Sequence, residues 1–156
     1  MRFPLTAEFL QTPLAHRAYH DRALGRVENS PSAVQAALDA GYGIELDVQL
    51  SSDGQAMVFH DDELDRLTAE IGSVRRRSSA ELQSIPLTDS SDTIPTLSQI
   101  LAQIAGRVPL LIEIKDQSLT LSQTDGRLES AVATALADYS GPVAVMSFNP
   151  HCIAHM

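Results

Sequence analysis

The chain has 156 residues, 44% hydrophobic and 20% charged, a composition that can build a buried core and argues against disorder. Its formal charge of −9 argues against a nucleic-acid or anionic-membrane surface as partner and suits a cation. Cys152 is the single cysteine, which excludes an internal disulfide framework and a cysteine-based zinc site and fits a reducing compartment.

Nowhere does an apolar run reach signal-peptide or membrane-spanning length, so a soluble, cytoplasmic protein without a membrane span is expected. After an irregular lead, Pro13-Leu14-Ala15 is a short apolar stretch that predicts a strand ending at His16. A polar loop with Gly25 through Asn29 follows. Ser30 and Pro31 supply an N-cap and a first-turn proline for a helix over Ser32 to Ala40, with Gly41 past its end. Ile44, Leu46, Val48 and Leu50 then alternate with Glu45, Asp47, Gln49 and Ser51, the period-two pattern of a strand with both carboxylates on one face.

Asp53-Gly54 marks a turn, and Ala56 to Phe59 is a second short strand that stops at His60-Asp61. Asp61 to Ser91 reads as loop, broken by a short helix over Ser79 to Ser84 and carrying Arg75-Arg76-Arg77 as a solvated turn. Thr96 with Gln99 forms a capping box for a helix over Leu97 to Ala105, closed by Gly106. Pro109 to Ile114 predicts a strand with Glu113 and Lys115 opposite Ile112 and Ile114. A helix from about Gly126 to Tyr139 precedes a final strand over Val143 to Phe148. The order reads as a parallel α/β array of right-handed crossovers.

His16, Glu45, Asp47, His60, Glu113, Lys115 and Asn149 all fall in or just past the C-terminal halves of predicted strands, where open α/β sheets and barrels build their sites. On a strand, Glu45 and Asp47 share a face, about 7 Å apart along the backbone. With Glu113 they form an all-oxygen set suited to a hard cation, Mg²⁺ or Ca²⁺. The plain alternative is the solvated outer face of a sheet, though parallel sheets are covered on both faces. His16 and His60 are candidate proton carriers because imidazole titrates near neutrality. His16 is preferred to His20 because Arg17 follows it, while His151 and His155 keep a structural reading. Lys115, the sole lysine, and Arg17 place two cations beside the acids, a mixture suited to an anionic substrate, such as a phosphate, next to a metal.

These residues sit in text that resembles the glycerophosphodiester phosphodiesterase family of the phospholipase-C-like barrel superfamily. The matching pieces occur in the family's order: Ala15-His16-Arg17, Glu28-Asn29-Ser30, Gly41, Glu45-Leu46-Asp47-Val48, Asp53-Gly54, Val58-Phe59-His60-Asp61, Leu64-Asp65-Arg66-Leu67-Thr68, Ile94-Pro95-Thr96-Leu97, Glu113-Ile114-Lys115 and Ser147-Phe148-Asn149-Pro150. They cover the chain from Leu14 to about Pro150. The resemblance implies a (β/α)8 TIM barrel that hydrolyses a small-molecule glycerophosphodiester to glycerol 3-phosphate and an alcohol with a divalent cation. It implies metal ligation by Glu45, Asp47 and Glu113, acid and base roles for His16 and His60, and phosphate binding by Arg17 and Lys115. Glu28 is a weaker site residue near the metal.

Two departures stand out. Ala18 occupies a position where the family usually has glycine, which costs stability if that position needs a positive φ. A closed barrel needs about 200 residues or more, so residues 1–156 are expected to form one C-terminally incomplete domain, about the first five strands of a partial barrel with their helices. That expectation carries two others: self-association through unpaired strand edges, and, as alternatives to the enzyme, an inactive metal- or phosphate-binding module or a related phosphodiesterase acting on a lysophospholipid or phosphoinositide.

Overall fold

The computed structural model describes residues 5–118 and 120–156. The elements are α1 (Ala7–Gln11), β1 (Leu14–Ala15), α2 (Pro31–Ala40), β2 (Gly43–Leu50), β3 (Ala56–Val58), α3 (Ser79–Ser84), α4 (Leu97–Ile104), β4 (Leu110–Ile114), α5 (Arg127–Leu136), β5 (Val143–Met146) and α6 (Pro150–His155). The predicted strands and the four predicted helices are all present. The lead and the last residues add α1 and α6, each too short to carry a readable apolar period.

The sheet has five strands, four of them parallel in the order β1-β2-β4-β5. The expected parallel array is present in these four strands, and β3 departs from it by running antiparallel to β2 with Val48 opposite Val58 and Leu50 opposite Ala56. The reason is local: the Asp53-Gly54 turn leaves too few residues for a crossover, so the chain can only fold back as a hairpin. Thus β2 runs past its parallel neighbours, and its second half belongs to the hairpin.

Local chemistry fixes the helix ends. Ser30 Oγ accepts from Ala33 N–H at 3.2 Å ahead of Pro31, and Gly41 closes α2 at φ 72°. Thr96 and Gln99 form the expected capping box on α4, whose final turn is closed by Ala105 itself in the left-handed region at φ 49°. Ala33, Val34 and Ala37 of α2, Leu97, Ile100, Leu101 and Ile104 of α4, and Leu128 and Val132 of α5 pack on Ile44, Leu46, Val48, Leu110, Ile112 and Ile114. The small face of α2 lets that helix approach the sheet closely.

Asp61 to Ser91 is more than the loop the sequence suggests. Leu64, Leu67, Val74, Leu82, Ile85 and Leu87 gather with Ile94 around Met57 and Phe59 in a second buried cluster. These apolar residues lack helical or strand period, so their burial was not visible as a pattern. Asp53 ties this excursion to the hairpin turn by accepting from Ser79 N–H and Oγ–H, both at 2.8 Å, and these bonds with that from Ser51 hold its carboxyl at a pKa of about 2. Of the arginine run, Arg75 donates to the Gln117 carbonyl at 2.9 Å and Arg77 pairs with Glu70 at 3.0 Å.

Candidate active site

The parallel register brings the candidate residues together. Ala15 lies opposite Ile44, which sets His16 beside Glu45, and Asp47 lies opposite Glu113. Glu45, Asp47 and Glu113 each offer an oxygen within 4.8 Å of the others', and all three are buried. Every residue of β2 is buried, so the reading of these acids as a solvated outer face does not hold. Glu45 sits in the first half of its strand rather than near its end, because β2 extends into the hairpin.

Two successive left-handed residues turn the chain immediately after β1: Arg17 at φ 55° and Ala18 at φ 64°. The turn aims Arg17 N–H at Glu45 Oε2 (2.8 Å) and Ala18 N–H at the Glu45 carbonyl (3.0 Å). The glycine-for-alanine departure therefore falls on a position that does need positive φ, with Ala18 buried as well. His16 Nε2 stands 4.0 Å from Glu45 Oε2 with its ring 70% exposed, reachable by a solute. His20 is also exposed, but it pairs with none of the three carboxylates among the described residues.

Cations face the acids from two sides. Lys115 Nζ lies 2.9 Å from Glu113 Oε1 and 3.5 Å from Asp47 Oδ1, while Arg17 Nε lies 3.6 Å from Asp47 Oδ2. Asn29, a loop amide with no periodicity to assign it a partner, accepts from Asp47 N–H at 3.2 Å and donates to Asp47 Oδ2 at 2.9 Å. Among the described residues, Asp47 Oδ1 remains buried without a hydrogen-bond partner. Lys115 Nζ at 3.5 Å offers it charge but no hydrogen bond; a buried carboxylate oxygen left so costs about 1–3 kcal/mol, which a bound cation would offset. Burial, reinforced by the charges of Asp47 and Glu113, pushes the Glu45 carboxyl up against the pull of the Arg17 N–H. The donor set is hard oxygen throughout, so these residues fit Mg²⁺ or Ca²⁺.

His60 arrives from the other side. The hairpin returns Phe59 N–H to the Asp47 carbonyl at 3.1 Å, and His60 follows, its carbonyl accepting from Gln49 Nε2 at 3.0 Å. Its Nδ1 lies 2.6 Å from Asp61 Oδ1. His60, Arg66 and Lys115 line one open groove of about 510 Å³. Glu28 stands apart from the triad: it accepts from Arg17 Nη1 at 2.9 Å and from Arg66 Nη1 and Nη2 at 2.9 and 2.7 Å. Asn149 is fully buried and caps α6 while donating to Asp116 Oδ1 at 2.9 Å, a structural position next to the site.

A model of the glycerophosphoryl diester phosphodiesterase family matches residues 16–156. The chain belongs to that family. Within the family, it is 37% identical over 95 residues to a glycerophosphodiester phosphodiesterase of Bacillus altitudinis, covering 56% of this chain and 39% of that protein. It is 30% identical over 134 residues to one of Caldanaerobacter subterraneus, covering 81% of this chain and 54% of that protein. A phosphodiesterase of Oleispira antarctica, solved in complex with the product sn-glycerol-3-phosphate, superposes with a TM-score of 0.82 at 26% identity, over 96% of this chain and 62% of that one. The chain thus spans roughly half the length of these curated relatives and about three fifths of the solved one. Its fold is the matching part of their barrel. Among the described residues, no helix is long and apolar enough to cross a membrane.

Some residues that the fold engages around the acids are silent in spacing alone. Asp61, Arg66 and Asn29 all stood in matching pieces of sequence, yet a carboxylate, an arginine and an amide in loops carry no periodicity that assigns them a partner.

Proposed function

We propose that the site hydrolyses a glycerophosphodiester to glycerol 3-phosphate and an alcohol, with a divalent cation, Mg²⁺ or Ca²⁺, held by Glu45, Asp47 and Glu113. The observation that carries this reading is the convergence of three buried carboxylates within 4.8 Å, one oxygen of which has no hydrogen-bond partner, beside Arg17 and Lys115. Bound there, the cation supplies Lewis-acid stabilisation of negative charge on the phosphoryl oxygens.

The chain's own residues do the rest. Arg17 and Lys115 bind the phosphate, and their partial pairing with Asp47 and Glu113 keeps both heads at the site. His16 and His60 divide the proton work: one takes a proton from the attacking hydroxyl, water's or the substrate's own, and the other gives one to the leaving alkoxide; where the substrate's own hydroxyl attacks, the cyclic phosphate so formed is then opened by water. Two such groups contribute about 10² to 10⁴ each, roughly 5–11 kcal/mol together. Phosphate-ester hydrolysis needs accelerations up to ~23 kcal/mol or beyond, so charge stabilisation by cations carries the larger share. A cytoplasmic location is supported by the single free Cys152. Self-association is supported by the edges of β1 and β5, each paired on one side only among the described residues.

The test is turnover of glycerophosphocholine by residues 1–156 with Mg²⁺ or Ca²⁺, beside Glu45→Ala and His16→Ala. Metal-dependent product formation abolished by both changes is the expected result. Cation binding without turnover identifies a binding module instead, and full activity in His16→Ala and His60→Ala removes the proton-transfer roles.

A further inference from the structure

A run of charge-assisted bonds leads from the groove lined by His60, Asp61 and Arg66 to Glu28 and Arg17. It starts at His60, whose Nδ1 meets Asp61 Oδ1 at 2.6 Å. Arg66 then grips Asp61 with Nε on Oδ2 at 2.6 Å and Nη2 on Oδ1 at 3.0 Å. The other edge of the same guanidinium forks onto Glu28, which in turn holds Arg17 Nη1 at 2.9 Å. The bonds end there: Arg17 Nε stands 3.6 Å from Asp47 Oδ2, close enough for charge attraction but without a hydrogen bond. Arg66 therefore joins the loop after β3 to the loop after β1, 38 residues away in sequence.

An ordinary exposed ion pair contributes little to stability and explains no such geometry. Here the carboxylates of Glu28 and Asp61 are mostly buried, at 13% and 22% exposure, while Arg66 is 45% exposed. A planar fork satisfies two carboxylates at once in a way an ammonium does not. We propose that Arg66 is a positioning residue that fixes the tautomer and ring orientation of His60 through Asp61 and the reach of Arg17 through Glu28.

The chemistry follows from what each group can do. Paired with Arg66 by two bonds, Asp61 is an ionised carboxylate and only accepts, so neutral His60 carries its proton on Nδ1. Its Nε2 is then the atom left for proton transfer, with the ring held against rotation. Glu28, gripped by Arg66 on one side, presents Oε1 to Arg17 and anchors that guanidinium over Asp47. Loss of Arg66 frees both ends together: His60 samples both tautomers and Arg17 collapses onto an unanchored Glu28.

The catalytic half of this inference rests on the function proposed above, and the test separates the two. Histidine-selective ¹⁵N NMR of the parent, Arg66→Ala and Arg66→Lys, made alongside thermal unfolding and turnover of glycerophosphocholine, reads both. In the parent, His60 is expected as the Nδ1–H tautomer. In Arg66→Ala the two tautomers mix, kcat falls about 10²-fold, the lower end of what an acid–base group contributes, and KM rises more than about threefold as the phosphate-binding Arg17 loses its anchor. Arg66→Lys, which keeps the charge without the fork, recovers less than a tenth of the lost kcat while folding like the parent. If the parent shows no turnover, the proposed function fails and the His60 tautomer alone decides the role of Arg66. A His60 tautomer unchanged in both variants, or kcat within threefold of the parent in Arg66→Ala, overturns the proposal.

Discussion

The carboxylates of the triad and those of the Arg66 clamp lie close in the fold and are alike in chemistry, but they are treated in opposite ways. Burial and like charges push the Glu45 carboxyl up. Burial works in the same direction on Glu28 and Asp61, yet the bonds and charge of Arg66, with Arg17 on Glu28 and His60 on Asp61, outweigh it and hold both carboxyls down. The clamp is a finished structure in which every acid has its partner. The triad is unfinished, with three acids sharing two partly engaged cations and with Asp47 Oδ1 unbonded. Negative charge kept short of partners in a protein interior costs several kcal/mol per ion. A fold that retains it there offers a place that a cation would fit.

The largest expected effects come from breaking the triad. Glu113→Ala and Glu45→Ala should each lower metal-dependent turnover by at least about 10³-fold, since charge stabilisation carries the larger share of the barrier. Asp61→Asn, on the clamp side, should cost about 10²-fold, the lower end of what an oriented acid–base group contributes. Initial rates with glycerophosphocholine read the contrast, and equal losses in both regions would erase the distinction drawn here.

Acid–base linkage gives an intermediate effect of opposite sign in the two regions. A carboxyl raised in the folded state binds more protons folded than unfolded, so Glu45 lowers stability as pH rises past its ordinary 4.5 toward its folded value. A carboxyl held down does the reverse. Glu28 contributes stability above its ordinary 4.5 and Asp61 above its ordinary 3.8, and each contribution is lost as pH falls through the folded value. Without metal, Glu45→Gln should therefore raise the urea midpoint at pH 7 and leave it unchanged at pH 3, whereas Glu28→Gln should lower it at pH 7. The same sign for both variants at pH 7 would contradict the assignment.

Ala18→Gly is the smallest effect. Relief of a left-handed alanine is worth about 1–2 kcal/mol. Against it stand the extra chain entropy of glycine, about 0.5–1 kcal/mol, and a buried methyl of about 0.8 kcal/mol. The terms nearly cancel, so the stability change should stay under about 1 kcal/mol by denaturant titration. A larger loss would mean that packing around Ala18 dominates the turn that aims Arg17.

Much of this was legible beforehand because it is periodic. The alternation from Ile44 to Ser51 placed Glu45 and Asp47 on one face, and caps at Ser30 and Thr96 fixed the helix starts. The direction of β3 depended on pairing across a turn, which alternation does not encode, and the cluster of Leu64, Leu67 and Leu82 beneath the long excursion has no repeat to read. The acids between Glu45 and Asp65 looked alike in sequence. Asp53 proves to tie the hairpin turn to the start of α3, Asp62 accepts from Gln49 at 3.1 Å and Asp65 from Gly72 N–H at 3.0 Å, because a carboxylate's task is set by what the fold brings opposite it.

Calorimetric titration of Mg²⁺ and Ca²⁺ into the parent, Asp47→Asn and Asp61→Asn tests the contrast most directly, because it asks which acids the cation needs. One site is expected in the parent, preserved in Asp61→Asn and weakened at least about tenfold, or about 1.4 kcal/mol, in Asp47→Asn. Equal affinity in the parent and Asp47→Asn would contradict the assignment of the three buried carboxylates as the cation's ligands.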